Sequence, residues 1–164
     1  MLTLKRILKD KLKGAKRIAI LGIGSQLRGD DVAGMLVAKE LEVYAGFINK
    51  HTPFKVFFGA SAPENVTGQI KKFNPSHILI IDSAEMGEAA GRVSLISLES
   101  EVCSSFSTHR LPSRILVDYL THSIGCEVIM LGIQPKSINF GETLSPEVEK
   151  GVKEFVVLVK DAII

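Results

Sequence analysis

Four short, almost continuous apolar runs constrain the fold of this 164-residue chain more than any other feature of its sequence. Strands that are buried on both faces of a parallel sheet have this composition, because helices cover both sides of the sheet. Segments with helical spacing of apolar residues alternate with the runs, which is the order found in α/β domains. The runs are Arg17–Ser25, Phe54–Ala60, Ile78–Asp82 and Glu127–Ile133.

The remaining segments complete the predicted architecture. Arg92–Leu98 alternates apolar and polar side chains, as a half-buried strand at a sheet edge does. We therefore predict a three-layer αβα domain over residues 1–164, with a twisted, mostly parallel sheet of about five strands, one antiparallel edge strand and helices on both faces. Leucines spaced four apart predict that residues 1–14 form an N-terminal helix packed on this domain.

Composition and charge exclude several classes of protein. The chain is 46% hydrophobic and 23% charged, which is typical of a globular domain. A net charge of +2 without a clustered basic face argues against a nucleic-acid partner. No segment approaches the roughly 20 apolar residues of a membrane span, so no membrane insertion is expected. Cys103 and Cys126 form no C-x-x-C pair, and we expect reduced thiols in a cytoplasmic, monomeric protein.

Ligands of α/β sheets bind outside the carboxyl ends of the strands. In this chain the segments that follow the predicted strands hold glycines, acids and an amide side chain, and we expect them to share one edge of the sheet. These segments are 24–31, 59–65, 82–87 and 132–135. Asp82 stands out among them, because it ends an apolar strand, where an unpaired charge is costly, and no local turn requires it.

Two further groups are candidates for chemistry. Asp30 and Asp31 open a predicted helix, and one of them, for which we choose Asp30, is expected to cap it. Capping needs one acid, so Asp31 is available for another role. His109 differs from the other histidines in lying in a polar segment just before a helix. Together, Asp31, Asp82 and His109 would suit a borderline divalent transition metal with open coordination positions, which favours a metal-dependent hydrolase.

A dinucleotide site is the competing interpretation of the first loop. Gly22 and Gly24 match the start of the Rossmann fingerprint, but Leu27 occupies the third position, where a small residue is required. Phosphate would also meet Asp30 and Asp31 at the helix N-terminus, where like charges repel it. A nucleotide- or small-ligand-binding domain is therefore kept only as an alternative.

Four segments in combination resemble the hydrogenase maturation proteases, the endopeptidases that trim the C-terminal tail of a nickel–iron hydrogenase large-subunit precursor. These segments are Gly22–Gly34, Asp82–Gly87, Ser107–Pro112 and Leu131–Pro135. The residues at 59–65, taken with the His-x-x-Pro and Gly-Ile-Gln-Pro segments, are most similar to the branch that serves formate hydrogenlyase and related membrane-bound hydrogenases.

The resemblance implies a function and a site. It implies removal of the precursor's tail after nickel insertion, with Asp31, Asp82 and His109 as the catalytic and metal-binding residues. The nickel would be recognised in the nickel-loaded precursor rather than held permanently, with no other cofactor, and either an aspartic-type or a nickel-assisted mechanism is compatible. Ser25 and Val32 stand where the family usually has Asn and Gly. A non-catalytic nickel-binding or chaperone module for the same large subunit is the alternative.

Overall fold

The computed structural model describes residues 2–45, 52–97 and 110–163. Its helices are α1 (Leu2–Lys11), α2 (Ala33–Ala45), α3 (Thr67–Phe73), α4 (Arg110–Ile124) and α5 (Pro146–Ile163). Its strands are β1 (Ile18–Ile23), β2 (Phe54–Ala60), β3 (His77–Ser83), β4 (Val93–Leu95) and β5 (Glu127–Ile133). Short 3₁₀ turns, Gly29–Val32 and Pro63–Val66, lead into α2 and α3.

The strands form one sheet in the order β2-β1-β3-β5-β4. β1 pairs in parallel with β2 and β3, and β3 pairs in parallel with β5. β4 pairs antiparallel with β5 at the edge. The predicted mostly parallel sheet with one antiparallel edge strand is therefore confirmed. The edge strand is shorter than the predicted Arg92–Leu98, since regular pairing covers only Val93–Leu95.

Alternate residues of β3 pack against different helices, because successive side chains of a strand point to opposite faces. Leu79 and Ile81 belong to the core cluster that contains residues of α1, α2 and α5. Ile78 and Ile80 belong to the second cluster, which contains residues of α3 and α4. Helices thus cover both faces of the sheet, which gives the predicted three-layer arrangement.

Glycine at the start of α2 brings that helix against the ends of two strands. A Cβ on Gly34 would lie 2.2 Å from the carbonyl oxygen of Ile81 and 2.4 Å from that of Ile23. Only a residue without a side chain allows this approach. β1 lies between β2 and β3, so the strand order reverses beside it, and such a switch point forms a crevice at the carboxyl edge. The turn that carries Asp30 and Asp31 lies at this crevice.

The N-terminal helix α1 packs against the core and is linked to α5 by an ion pair. α1 inserts Leu8, which is fully buried, into the core cluster that contains residues of α5. Lys5 Nζ of α1 lies 2.7 Å from a carboxylate oxygen of Asp161 near the end of α5. Among the helices of the described ranges, none has the length and apolar character needed to cross a membrane.

Candidate active site

A cleft of about 550 Å³ opens at the carboxyl edge of the parallel strands. All four segments that were predicted to share this edge contribute to its lining, which confirms that prediction. The lining residues from these segments include Gly24, Asp31, Ala60, Ser61, Asp82, Glu85 and Pro135. The first turn of α4 adds Ser113 to the lining.

Asp31 is brought to the cleft by a tight return of the chain after β1. Gly24 has φ +138°, and a Cβ there would lie 1.8 Å from the carbonyl oxygen of Asp31. The backbone N–H of Ser25 donates to Asp31 Oδ2 at 2.8 Å. Ser25 therefore orients the carboxylate through its main chain. Because this contact does not depend on the side chain, Ser can stand at the position where the family usually has Asn. Asp31 itself lines the cleft.

Asp82 occupies the penultimate position of β3, in register with Gly132 of β5. It has the same parity as Ile78 and Ile80, so its side chain leaves the sheet on the face that α3 and α4 cover. The backbone N–H of Ser83 donates to Asp82 Oδ1 at 2.8 Å. Gly132 has no side chain, and the side chains of Ile96, Met86 and Ala84 occupy the space beside it, within 2.8–3.0 Å of where a Cβ would lie.

The environment of Asp82 raises its pKa to about 7, from an ordinary value of 3.8. Burial is the largest cause, and the negative charge of Asp31 adds to it, while the hydrogen bond from Ser83 opposes both. A carboxyl group with a pKa near neutrality exchanges its proton at physiological pH, which is the property required of a general acid or base. The two acids therefore form an electrostatically coupled pair within one cleft.

The raised pKa predicts a pH-dependent stability. Because folded Asp82 binds a proton more tightly than the unfolded chain does, its contribution to the free energy of unfolding is lost as pH rises through about 7. Asp82→Asn removes this ionisation. As the pH rises from 5 to 8, we expect the free energy of unfolding of the variant to increase by about 2–3 kcal/mol relative to that of the wild type. The measurement is urea unfolding of the metal-free protein at each pH. A stability difference that is constant across this range would contradict the raised pKa.

Asp30 does not cap its own helix, and the prediction of that role is wrong. The 3₁₀ turn before α2 has no side-chain cap, and Asp30 instead points into the protein with 1% of its surface exposed. Its carboxylate accepts backbone N–H groups of Lys136 at 2.8 Å, Ser137 at 3.2 Å and Ser145 at 2.7 Å. The Ser145 hydroxyl donates a fourth bond at 2.9 Å. Asp30 thus holds the segment between β5 and α5.

The hydrogen bonds decide the ionisation of Asp30. Burial by itself would raise the pKa of this carboxyl, but the bonds from Ser145, Lys136 and Ser137 outweigh it and the pKa is lowered. Asp30 is therefore a charged, buried structural anchor, and Asp31 is the acid of the pair that faces the cleft. The two neighbouring acids thus lie in different environments, and the role of Asp30 differs from the predicted one.

Gln134 is a structural residue of the site to which the sequence assigned no role. It is 3% exposed, and its side-chain oxygen accepts the backbone N–H groups of Met86 at 2.7 Å and Glu88 at 3.2 Å. Its side-chain nitrogen donates to Glu85 Oε1 at 2.9 Å. The side chain thereby fixes the loop that continues from Asp82. Its position directly after an apolar strand, within the Gly-Ile-Gln-Pro segment, is the signal that could have identified it.

The third predicted site residue, His109, lies outside the described residues, as does Cys103. Within residues 2–45, 52–97 and 110–163, no group of three His, Cys, Asp or Glu side chains is arranged to hold a metal ion. The structure therefore brings Asp31 and Asp82 together, and the part played by His109 stays a prediction. Cys126 is buried and unbridged, and burial raises the pKa of its thiol.

Solved structures define the class of protein to which this arrangement belongs. The crystal structure of the nickel–iron hydrogenase maturation protease HycI from Thermococcus kodakarensis superposes with a TM-score of 0.81. The two sequences are 27% identical, and the match covers 96% of this chain and 98% of the other. The fold is thus that of a hydrogenase maturation protease.

Sequence relatives give the same family. A protein of Methanocaldococcus jannaschii that carries the name of a hydrogenase maturation protease is 44% identical over 141 residues, covering 84% of this chain and 83% of the relative. The hydrogenase 3 maturation protease of Escherichia coli is 32% identical over 136 residues, covering 82% and 83%. The chain belongs to the hydrogenase maturation protease family, whose HycI sequence profile matches residues 35–162. The resemblance is confirmed, and these names are consistent with the formate-hydrogenlyase branch.

Proposed function

We propose that this chain is the endopeptidase that removes the C-terminal tail of a nickel–iron hydrogenase large-subunit precursor after nickel has been inserted. In this proposal Asp31, Asp82 and His109 recognise the nickel, which belongs to the substrate. The nickel-loaded precursor is then the partner of the cleft. Membership of the maturation protease family supports the reaction class.

The observation that carries the proposal is the coupled acid pair. Asp31 and Asp82 line the same cleft, and the charge of Asp31 contributes to the raised pKa of Asp82. A carboxylate pair of this kind attracts a divalent cation, because a cation relieves the repulsion between the two charges. Oxygen donors together with an imidazole suit a borderline metal such as nickel. A metal already bound in the precursor would enter the cleft with its peptide tail.

The position of α4 supports His109 as the third group. α4 begins at Arg110, the next residue of the chain, and Ser113 from its first turn lines the cleft. The face of the sheet that α4 covers is also the face from which the Asp82 side chain leaves. A histidine that directly precedes this helix is therefore a good candidate for the ligand that completes the acid pair.

Two ways of activating water fit the acid pair. Asp82, with a pKa of about 7, has the proton affinity of a general base that takes a proton from the attacking water. Alternatively, nickel in the substrate polarises the scissile carbonyl, and the acids serve only to hold the metal. In both cases Ser25 and Ser83 fix the carboxylates through backbone N–H groups.

The proposal is tested by intact-mass analysis of a nickel-loaded large-subunit precursor before and after incubation with the protein. We expect the precursor to lose one C-terminal segment, and we expect nickel-free precursor to keep its mass. His109→Ala should lower the cleavage rate by about 10²-fold or more, since it removes one of the groups that recognise the metal. His122→Ala, an exposed helical histidine bonded to the Asp118 carbonyl, is the matched control and should cleave normally.

The outcomes separate the competing functions. If the precursor binds and its mass does not change, the protein is a nickel-binding or chaperone module and not a protease. If nickel-free precursor is cleaved at the same rate as nickel-loaded precursor, nickel recognition is contradicted and the assignment as a peptidase stands. If a nucleotide raises the melting temperature of the protein and does so equally for His109→Ala, a nucleotide- or small-ligand-binding domain is favoured.

A further inference from the structure

The two most exposed large apolar side chains of the described residues lie beside the cleft. Phe140 is 77% exposed and Leu27 is 63% exposed. Their chain neighbours Arg28 and Asn139 line the cleft itself. We call Leu27 and Phe140 the rim patch. Neither side chain belongs to the core clusters.

The rim patch is presented on two loops that are tied together. The backbone N–H of Gly141 donates to the carbonyl of Leu27 at 2.9 Å, and that of Gly29 donates to the carbonyl of Glu142 at 3.1 Å. Arg28 Nε donates to the carbonyl of Ile138 at 3.3 Å. The buried Asp30 carboxylate accepts the backbone N–H groups of Lys136 and Ser137, which holds the loop that carries Phe140. Two loops held in this way lose little conformational entropy on binding, which is a property of good docking surfaces.

The composition of the rim is that of a protein interface. Aromatic residues and arginine are enriched at such interfaces, and exposed aromatic anchors carry much of the binding energy. Arg28, between the patch and the cleft, forms no ion pair with any of the residues that the structure describes. It is therefore available to a carboxylate of a bound protein.

The small size of the cleft implies that a protein substrate also makes contacts outside it. A volume of about 550 Å³ is in the range of small-molecule pockets and accommodates only a short stretch of peptide. An enzyme that acts on one folded protein needs contacts beyond that stretch to distinguish it from other chains. The rim patch is continuous with the cleft, so the body of a protein whose tail occupies the cleft would lie on it.

We propose that Leu27 and Phe140 form a docking site for the folded body of the hydrogenase large-subunit precursor, outside the peptide that is cleaved, with Arg28 facing a carboxylate of that partner. This inference rests on the proposed function. The partner surface is apolar with an acidic neighbour, and contact with it places the precursor's tail in the cleft.

The test compares two double variants on nickel-loaded precursor. L27S/F140S should raise KM by about tenfold or more and leave kcat within about twofold, because binding is weakened and the chemistry is untouched. V43S/V157S removes two apolar side chains of similar exposure, 62% and 57%, from α2 and α5 and should match the wild type. Thermal unfolding of both variants, expected to stay close to that of the wild type, excludes misfolding as the cause.

A binding measurement separates this inference from the proposed function. The dissociation constant of nickel-free precursor, which is expected to keep its tail, is measured with wild-type protein and with L27S/F140S. Equal KM values and equal dissociation constants would overturn the docking site while cleavage by the wild type stands. Absence of wild-type cleavage would overturn the proposed function, and patch-dependent binding would then still support docking. A wild-type dimer in light scattering that becomes monomeric in L27S/F140S would overturn docking of the precursor and assign the patch to a second copy of the chain.

Discussion

Asp31→Asn and Asp82→Asn are each expected to lower the rate of precursor cleavage by about 10²–10⁴-fold, the range associated with loss of a catalytic acid or base. The side-chain oxygen of Asn still accepts the N–H of Ser25 or Ser83, so the local structure should be kept. What is lost is the negative charge, which both a metal contact and proton transfer require. The measurement is single-turnover cleavage of nickel-loaded precursor, followed by intact mass.

Asp10→Asn is the matched control, since Asp10 is exposed on α1 and lies away from the cleft lining. It should cleave at the wild-type rate. Wild-type cleavage by either Asp31→Asn or Asp82→Asn, with the variant folded, would contradict the assignment of that acid. The same variants also distinguish the two mechanisms. If Asp82→Asn binds nickel-loaded precursor normally and does not cleave it, Asp82 acts as the base; if binding is also lost, it acts as a ligand.

The fold was predictable because its signals are local. A strand buried on both faces is apolar along its central residues, and the middle of β1, β3 and β5 satisfies this without reference to any partner. The edge strand β4 was recognised by alternation but its length was overestimated, because alternation reports a half-buried surface and not where pairing ends. The shared edge of the loops followed from the parallel direction of the strands.

The roles within the acid pair could not be predicted, because the partners of Asp30 are far away in sequence. Lys136 and Ser145 are 106 and 115 residues from it. A local interpretation allows only a helix cap, which is the role that the structure contradicts. Gln134 has the same difficulty, since the backbone groups that it binds at Met86 and Glu88 lie 48 and 46 residues earlier. The position of Gln134 directly after an apolar strand signals a role, but the residues near it do not show that its partner is the loop after Asp82.

Asp82 is the opposite case. The anomaly of an acid at the end of an apolar strand is visible in the sequence, and the structure gives it a physical basis in the raised pKa. His109 was selected by its polar surroundings and by the resemblance, and it lies outside the described residues. Its assignment depends on the variant tests above.

Asp30→Asn is expected to be the most destabilising conservative change in the site region, with a loss of about 2–4 kcal/mol in the free energy of unfolding. Asn has one oxygen where the carboxylate has two. One amide orientation or the other therefore places an NH₂ group against backbone N–H donors of Lys136, Ser137 or Ser145. For a chain of this length the melting temperature should fall by about 5–12 °C, measured by thermal unfolding at pH 7.

The pH dependence and the activity of this variant distinguish it from its neighbour. The pKa of Asp30 is lowered below 3.8, so its stabilising charge is complete at neutral pH and is lost only on acidification below that value. Asp30 does not line the cleft, so folded Asp30→Asn should keep cleavage within about fivefold of the wild type at 20 °C, far above a variant that lacks a catalytic acid. Asp31→Asn should show the reverse pattern, a nearly unchanged melting temperature and lost cleavage. If Asp30→Asn melts like the wild type, or if it loses cleavage as completely as Asp31→Asn, the separation of the two acids into an anchor and a reacting group is wrong.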